Sequence, residues 1–298
     1  MEVRAKKRLG QHFLKNEDIA RRIAEAVRTP DAHVLEIGPG MGVLTQFLLQ
    51  QPFADFSVIE LDEESVAYLQ EHFPQLGDNL IAGDFLKLDL AARYPDKFVI
   101  VGNFPYNISS QILFKLLDYK DKAVELVGMF QKEVGERVTA TAGKKQYGIV
   151  SVLMQAFYDT EYLFTVSENE FLPPPKVKSA VIRVTRNFDK KLHCDEDKFK
   201  LVVKTAFNYR RKTLRNALQS LPFPADIVAS DPIFTRRRLR APRQYAAGLV
   251  DIPLIINIFL YFCPVLKPYC DYEKTTLYQC AAFSDDWLSV SEKTCFRR

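Results

Sequence analysis

The chain has 298 residues, of which 47% are hydrophobic and 26% charged; that is long enough for one large domain and a small one, and ordinary for a globular protein. The net charge is only +4, but residues 31–130 hold 15 acids against 6 Lys/Arg, so the flanks carry the positive charge. An acidic core between basic flanks suggests a polyanion that contacts the flanks; solvated charge on surface helices is the other reading. The opening 22 residues lack the apolar core of a secretory leader. The longest apolar run, residues 252–266, contains two prolines and is shorter than the roughly 20 residues a spanning helix needs. A cytoplasmic protein with no membrane partner is expected.

In chain order, a basic arm comes first, with Arg4, Lys6, Lys7 and Arg8 able to meet phosphates. Gly10-Gln11-His12-Phe13-Leu14 follows, and His12 has no nearby Cys or His with which to bind a metal. A helix is expected next, with Ile19, Ile23, Ala24 and Val27 on one face. Residues 34–37 form a short apolar run, as a buried parallel strand would. Gly38-Pro39-Gly40-Met41-Gly42 follows at once, then the helical pattern Val43, Leu44, Phe47, Leu48. Glycines at such a turn let the backbone pass close to a ligand. A second apolar run, residues 56–61, carries Glu60 about twenty residues beyond the glycines, where an acid in a doubly wound fold can accept from both ribose hydroxyls of a nucleoside. The spacing is G-x-G-x-G rather than the G-x-G-x-x-G of dinucleotide binders. With Glu36 ahead of it, the stretch resembles the start of an S-adenosylmethionine-dependent methyltransferase.

A helix over 63–72 is expected, and then a third strand that ends in Asp84. At the carboxyl end of a parallel strand this acid can accept from an adenine amine, or it can cap the next turn. The fourth strand, 98–101, leads into Gly102-Asn103-Phe104-Pro105-Tyr106-Asn107. Pro105 fixes its own φ and keeps Phe104 out of the helical region, so the loop is extended and stiff. The Asn103 amide oxygen and the Pro105 carbonyl could both accept from one exocyclic amine, aiming its lone pair at a methyl donor. Tyr106 offers a face on which a base can stack. A helix over 131–138 carries Lys132, Glu133, Glu136 and Arg137 at ion-pair spacing. Residues 171–177 are stiff and proline-rich and lead into an alternating strand, 179–184. From about Phe188 the pattern is helical. Residues 198–218 read as one amphipathic stretch carrying Lys204, Arg210, Arg211, Lys212 and Arg215, the strongest site for phosphate contact in the smaller domain.

The motifs GQHFL, EIGPGMGVLT, VIELD, AGDFLKLD, VGNFPYNISSQILFKLL, FQKEVGERV, YGIVSVL, FLPPPKVKSAVIRV and AFNYRRKTLRNAL occur in that order. Together, from about Arg4 to about Phe234, the chain resembles the ribosomal RNA adenine dimethyltransferase family, and within it the small-subunit members. The resemblance implies S-adenosylmethionine as cofactor and N6,N6-dimethylation of two adjacent adenosines near the 3′ end of small-subunit ribosomal RNA. The implied substrate is the immature small ribosomal subunit, and the implied state is a monomer without a metal. By position it assigns cofactor contacts to His12, Leu14, Gly38, Gly40, Glu60, Asp84 and Asn103; His12 stands where many relatives have Asn. It makes Asn103, Phe104, Pro105 and Tyr106 the target-amine site, with Phe171 stacking on the flipped adenine opposite Tyr106. Other readings are a large-subunit adenine methyltransferase conferring antibiotic resistance, a non-catalytic assembly factor, and a dinucleotide-dependent oxidoreductase.

The expected fold is α/β: a doubly wound, Rossmann-like methyltransferase sheet over residues 1–186, with a smaller helical RNA-binding domain over 187–245. Residues 246–298 form an atypical tail. The tail holds Cys263, Cys270, Cys280 and Cys295 and the single Trp287, in spacings that fit no zinc pattern. From about Arg238 onward the sequence leaves the family pattern, which points to a frame-shifted or otherwise aberrant extension with no selected function; a real accessory segment is the other reading. Sequencing the coding DNA across residues 235–242 in independent isolates tests the first, and an intact frame there would sink it.

Overall fold

The computed structural model describes residues 3–192, 194–209 and 212–221. The expected phosphate contacts Arg210 and Arg211, and the tail with its cysteines, lie outside the described residues.

The chain opens with the short strand β1 (Phe13–Leu14) and the helix α1 (Glu17–Glu25). Asn16 caps α1, its side-chain oxygen accepting from the N–H groups of Asp18 and Ile19 at 3.0 and 3.2 Å. Ile19, Ala20, Ile23 and Ala24 form the buried face that the 3.6-residue period anticipates. Strands and helices then alternate: β2 (His33–Ile37), α2 (Thr45–Leu48), β3 (Asp55–Glu60), α3 (Glu63–His72), β4 (Leu80–Ala82), α4 (Leu90–Arg93), β5 (Phe98–Asn103), α5 (Ser109–Asp118), β6 (Ala123–Gln131), α6 (Lys132–Val138) and α7 (Ile149–Gln155). A long strand β7 (Tyr158–Val166), a short β8 (Phe171–Leu172) and β9 (Ser179–Arg186) follow, then α8 (Glu196–Asn208) and α9 (Leu214–Ala217).

Seven strands make one sheet in the order β4-β3-β2-β5-β6-β9-β7. β4, β3, β2, β5 and β6 are parallel, β9 is antiparallel to β6, and β7 is antiparallel to β9 and so runs with the main set. The order runs one way from β2 to β4 and the other way from β5 to β6, so the switch lies between β2 and β5. In an open α/β sheet, ligands bind at the carboxyl ends of the strands at that point. The strands read as continuous apolar runs because helices cover both faces. One buried cluster joins Leu35, Ile100, Leu126 and Ile182 to α5 and α7; the other joins Val34, Val101 and Val181 to α1.

Two expectations change in detail. The proline-rich 171–177 segment begins as β8, which pairs antiparallel with β1, Leu14 opposite Phe171. The single helix expected over 198–218 is two. α8 ends at Asn208, and α9 starts afresh with Thr213 as its cap, its hydroxyl accepting from the Asn216 N–H at 3.4 Å. A cap residue stabilises a helix start and so divides the stretch. Phe199, Val202, Val203, Leu214 and Leu218 belong to the same buried cluster as the sheet. The described part of the helical region therefore shares its core with the sheet. On α6, Lys132–Glu136 and Arg137–Glu133 form ion pairs at 3.6 and 2.7 Å, as the spacing anticipates.

Candidate active site

One cleft opens at the switch point, and Gly38, Gly40, Glu60, Asp84, Asn103, Phe104, Pro105, Tyr106 and His12 all line it. Residues far apart in sequence meet there because β2, β3, β4 and β5 all end on the same edge of the sheet. Leu14 and Phe171 do not line it. Both are buried, at 5% and 1% exposure, and they face each other across the β1–β8 pair. Phe171 as observed has no free face for a base; it belongs to the buried cluster that holds Leu14.

The glycine turn and Glu60 make one wall. Gly40 has φ +59°, a conformation that costs any L side chain, and a Cβ there would lie 2.8 Å from the Phe13 ring. Its N–H donates to Glu60 Oε2 at 3.0 Å, and the Asp62 N–H donates to Oε1 at 2.8 Å. Each carboxylate oxygen thus has one backbone partner and keeps acceptor capacity for a hydroxyl. Burial pushes the Glu60 carboxyl up from its ordinary range, and those backbone bonds oppose the shift. Below this wall, Glu36 is 1% exposed. Its Oε2 accepts from the Thr45 hydroxyl at 2.7 Å, while Oε1 has no partner. Burial pushes its carboxyl up to about 8, with the nearby Glu60 adding to the effect.

The next wall is the turn after β4. Asp84 caps the short 3-10 turn Phe85–Lys87, its Oδ1 accepting from the Leu86 N–H at 2.9 Å. Asp84 thus caps the turn and also lines the cleft. Leu61, 53% exposed at the end of an otherwise buried run, also lines the cleft. It was not singled out from the sequence, where a leucine at the end of an apolar run reads as core.

The third wall is the Asn103–Tyr106 loop. Asn103 Nδ2 donates to the His12 carbonyl at 2.9 Å. A carbonyl can only accept, so this bond fixes which end of the amide is NH₂ and leaves Oδ1 as an acceptor. The Phe104 ring is buried against Gly102 and Gly128, where a Cβ would approach it to 2.9 and 2.4 Å. It anchors the loop from below. The Pro105 carbonyl accepts from the Ile108 N–H at 3.2 Å and lies 3.4 Å from Ser109 Oγ. The Ser109 hydroxyl has a single hydrogen and lies nearer the Tyr106 carbonyl, at 3.1 Å, so the Pro105 carbonyl keeps acceptor capacity beside its bond from Ile108. Tyr106 is half-buried, its hydroxyl bonded to Ser179 Oγ and its ring stacked on His12 with centroids 5.4 Å apart. Ser179 was missed because it lies 73 residues away, at the start of a strand that reads as structural.

The basic arm folds back over the cleft. Lys6 pairs with Asp62, and with Glu64 at 3.0 Å, so it pins the arm; Arg4, Lys7 and Arg8 stay exposed. Lys204, Lys212 and Arg215 are also exposed on the helical region. Among the described residues, no group of three or more His, Cys, Asp or Glu is placed to hold a metal ion, and no helix is long and apolar enough to cross a membrane.

Comparison with known proteins bears on this cleft. The family model for ribosomal RNA adenine dimethylase matches residues 2–230. Ribosomal RNA small subunit methyltransferase A of Parabacteroides distasonis is 62% identical over 236 residues, 79% of this chain and 88% of that protein. Its counterpart in Cytophaga hutchinsonii is 58% identical over 238 residues, 79% and 92% of the two chains. Among solved structures, a dimethyladenosine transferase from Plasmodium falciparum has a TM-score of 0.68 at 25% identity, covering 83% of this chain and 97% of that one. The 23S rRNA methyltransferase ErmE shares the fold, with a TM-score of 0.61 at 23% identity over 83% and 99%.

Proposed function

Since the chain belongs to the ribosomal RNA adenine dimethylase family, we propose that it transfers methyl groups from S-adenosylmethionine to N6 of two adjacent adenosines in small-subunit ribosomal RNA. The target hairpin lies near the 3′ end, and the product is N6,N6-dimethyladenosine. The observation that carries this reading is the Asn103 amide. Its NH₂ is spent on the His12 carbonyl, so Oδ1 remains to take a hydrogen from an exocyclic amine.

The residues fit the cofactor. Glu60 keeps acceptor capacity for the ribose hydroxyls, and the exposed Leu61 gives the adenine an apolar surface. Asp84 stands where the adenine amine would donate. Gly38 and Gly40 leave the backbone open beside the amino-acid part, with His12 and Asn103 closing that end. When bound, S-adenosylmethionine supplies an activated methyl group on sulfur. The protein's own part is then to orient. Asn103 Oδ1 accepts one amine hydrogen and directs the nitrogen lone pair into line, and Tyr106 presents a ring to the base. The buried Phe104 holds the loop in place, and Pro105 keeps it extended. Leu14 and Phe171 support this wall from beneath. No strong base is required, because the amine loses its proton only after becoming cationic.

The substrate is the immature small ribosomal subunit, and the protein acts as a monomer in the cytoplasm. Residues 1–186 carry the chemistry, and 187–245 add phosphate contacts through Lys204, Arg210, Arg211, Lys212 and Arg215. A large-subunit target is not favoured, since relatives that are more than half identical carry the small-subunit name.

The test is methyl transfer from labelled S-adenosylmethionine to immature small subunits, with the modified nucleosides mapped, for the full chain and for Asn103→Ala. Dimethyladenosine at adjacent positions is expected. In the variant the rate should fall by about a thousandfold, on the order of 4 kcal/mol of transition-state stabilisation. Full activity in Asn103→Ala would overturn the assigned role.

A further inference from the structure

Three carbonyls of the turn after Asp84 converge on one ammonium. Lys115, on α5, has its Nζ 2.7 Å from the Phe85 carbonyl oxygen, 3.0 Å from that of Leu86 and 2.6 Å from that of Leu88. A lysine ammonium has three N–H donors, so this arrangement uses all of them. Nζ also lies 4.9 Å from the centroid of the Phe85 ring, within cation–π range. Burial pushes the Lys115 ammonium below its ordinary range, while Asp84, Asp89 and Asp118 act in the opposite direction.

The Phe85 ring anchors the turn in the core, but few backbone bonds fix its shape. Its internal bonds are Lys87 N–H to the Asp84 carbonyl at 3.0 Å and the Leu88 N–H to the Asp84 and Phe85 carbonyls, each at 3.2 Å. Short 3-10 turns have poorer hydrogen-bond geometry than α-helices. The Asp84 carboxylate takes its orientation from the Leu86 N–H, and Lys115 holds the carbonyl of that same residue. Displacing Leu86 therefore turns the carboxylate. α5 begins at Ser109, directly after the Asn103–Tyr106 loop, so the ammonium also ties the turn to the element that carries the target loop.

We propose that Lys115 is a positioning residue for the cofactor's adenine: through the Phe85, Leu86 and Leu88 carbonyls it sets the Asp84 turn without itself touching the cofactor. The inference rests on the cofactor placement proposed above. It assigns recognition of the adenine 6-amine to a side chain outside the cleft lining.

The test is calorimetric binding of S-adenosylmethionine, S-adenosylhomocysteine and S-inosylhomocysteine, which has an oxygen in place of the 6-amine, together with steady-state kinetics. In Lys115→Met, affinity for both adenosyl ligands should fall at least tenfold. At saturating cofactor, kcat and the KM for ribosomal RNA should stay within about twofold. The wild type should prefer S-adenosyl- to S-inosylhomocysteine, and that preference should collapse in Lys115→Met. Lys115→Arg should recover part of the affinity, since its charge remains but a planar fork does not match three converging carbonyls. Lys122→Met, which removes a single bond to the Tyr94 carbonyl away from the cleft, should leave both affinity and preference unchanged. A general loss of folding would lower the melting temperature and the active fraction without changing the 6-amine preference of the folded protein. Unchanged affinity and preference in Lys115→Met overturn the role of Lys115 while wild-type binding leaves the methyltransferase reading standing. Absence of S-adenosylmethionine binding by the wild type would bring down both.

Discussion

The wall proposed to hold the cofactor and the wall proposed to hold the target base are built by different means. The cofactor wall is mostly local and mostly main chain. Gly40, in the turn after β2, and Glu60, at the end of the adjacent parallel strand β3, are twenty residues apart, and backbone N–H groups fix the Glu60 carboxylate. The target wall is a loop held by side chains from afar: Asn103 reaches the His12 carbonyl 91 residues away, Tyr106 reaches Ser179 73 residues away, and Phe104 wedges against Gly128. A wall of the first kind tolerates changes at a distance. One of the second kind depends on every strand that supplies an anchor.

The largest effect should come from filling the space beneath the target wall. A Cβ on Gly128 would lie 2.4 Å from Phe104 Cε2 and 2.5 Å from the Gly102 carbonyl oxygen. One of those neighbours is backbone in the middle of the sheet and cannot yield. Gly128→Ala should therefore cost about 3 kcal/mol of stability, seen as a lower denaturant midpoint with an unchanged slope. In the fraction that stays folded, methyl transfer should fall much further than S-adenosylmethionine affinity. Equal losses would mean that the two walls are not separable.

Beneath the cofactor wall, Glu36 should act through pH. Its carboxyl holds a proton up to about 8 in the fold and only to 4.5 when exposed. The stabilising contribution is thus complete below pH 4.5, declines as pH rises through the window between the two values, and is fully lost above about 8. Each pH unit inside the window costs about 1.4 kcal/mol, so the step from pH 5.5 to 7 should cost about 2 kcal/mol. Glu36→Gln keeps a neutral group beside Thr45 and should lack that slope, which then appears as the difference between wild type and variant. Denaturant unfolding of the ligand-free protein at several pH values measures it. A slope preserved in the variant would place the titration elsewhere.

The same contrast governs what was legible in the sequence. The glycine turn, Glu60, the strand that ends at Asp84 and the helix over 63–72 follow from short-range spacing, and the switch point follows from the alternation of strands and helices. The Asn-Phe-Pro-Tyr loop could be located as stiff, but its wiring could not. Nothing near Pro105 in sequence says that its carbonyl accepts from the Ile108 N–H, and nothing near Phe171 says that it joins the buried cluster that holds Leu14. Thr213 is a recognisable cap residue, yet the one-signed run Lys204 to Arg215 obscured the helix boundary it marks. Leu61 and Lys115 escaped notice for the same reason. A leucine at a strand end and a lysine on a helix have ordinary explanations until the fold shows what they face.

Ser179 gives the smallest and most selective effect. Its hydroxyl is the partner of the Tyr106 hydroxyl, and burial pushes that phenol above its ordinary range, so Tyr106 stays a neutral hydrogen-bonding group at any working pH. Ser179→Ala removes one neutral hydrogen bond, about 1 kcal/mol, and leaves the β6–β9 ladder intact. The ring would then be free to turn about its own axis beside His12. The expected result is a roughly fivefold rise in the KM for ribosomal RNA with S-adenosylmethionine affinity unchanged, measured by steady-state methyl transfer on small subunits. Tyr106→Phe should match it, and the double variant should be no worse than either single one, because both remove the same bond. Additive losses would show that Ser179 supports the target wall by packing, and would shift the anchoring of Tyr106 onto its contact with His12.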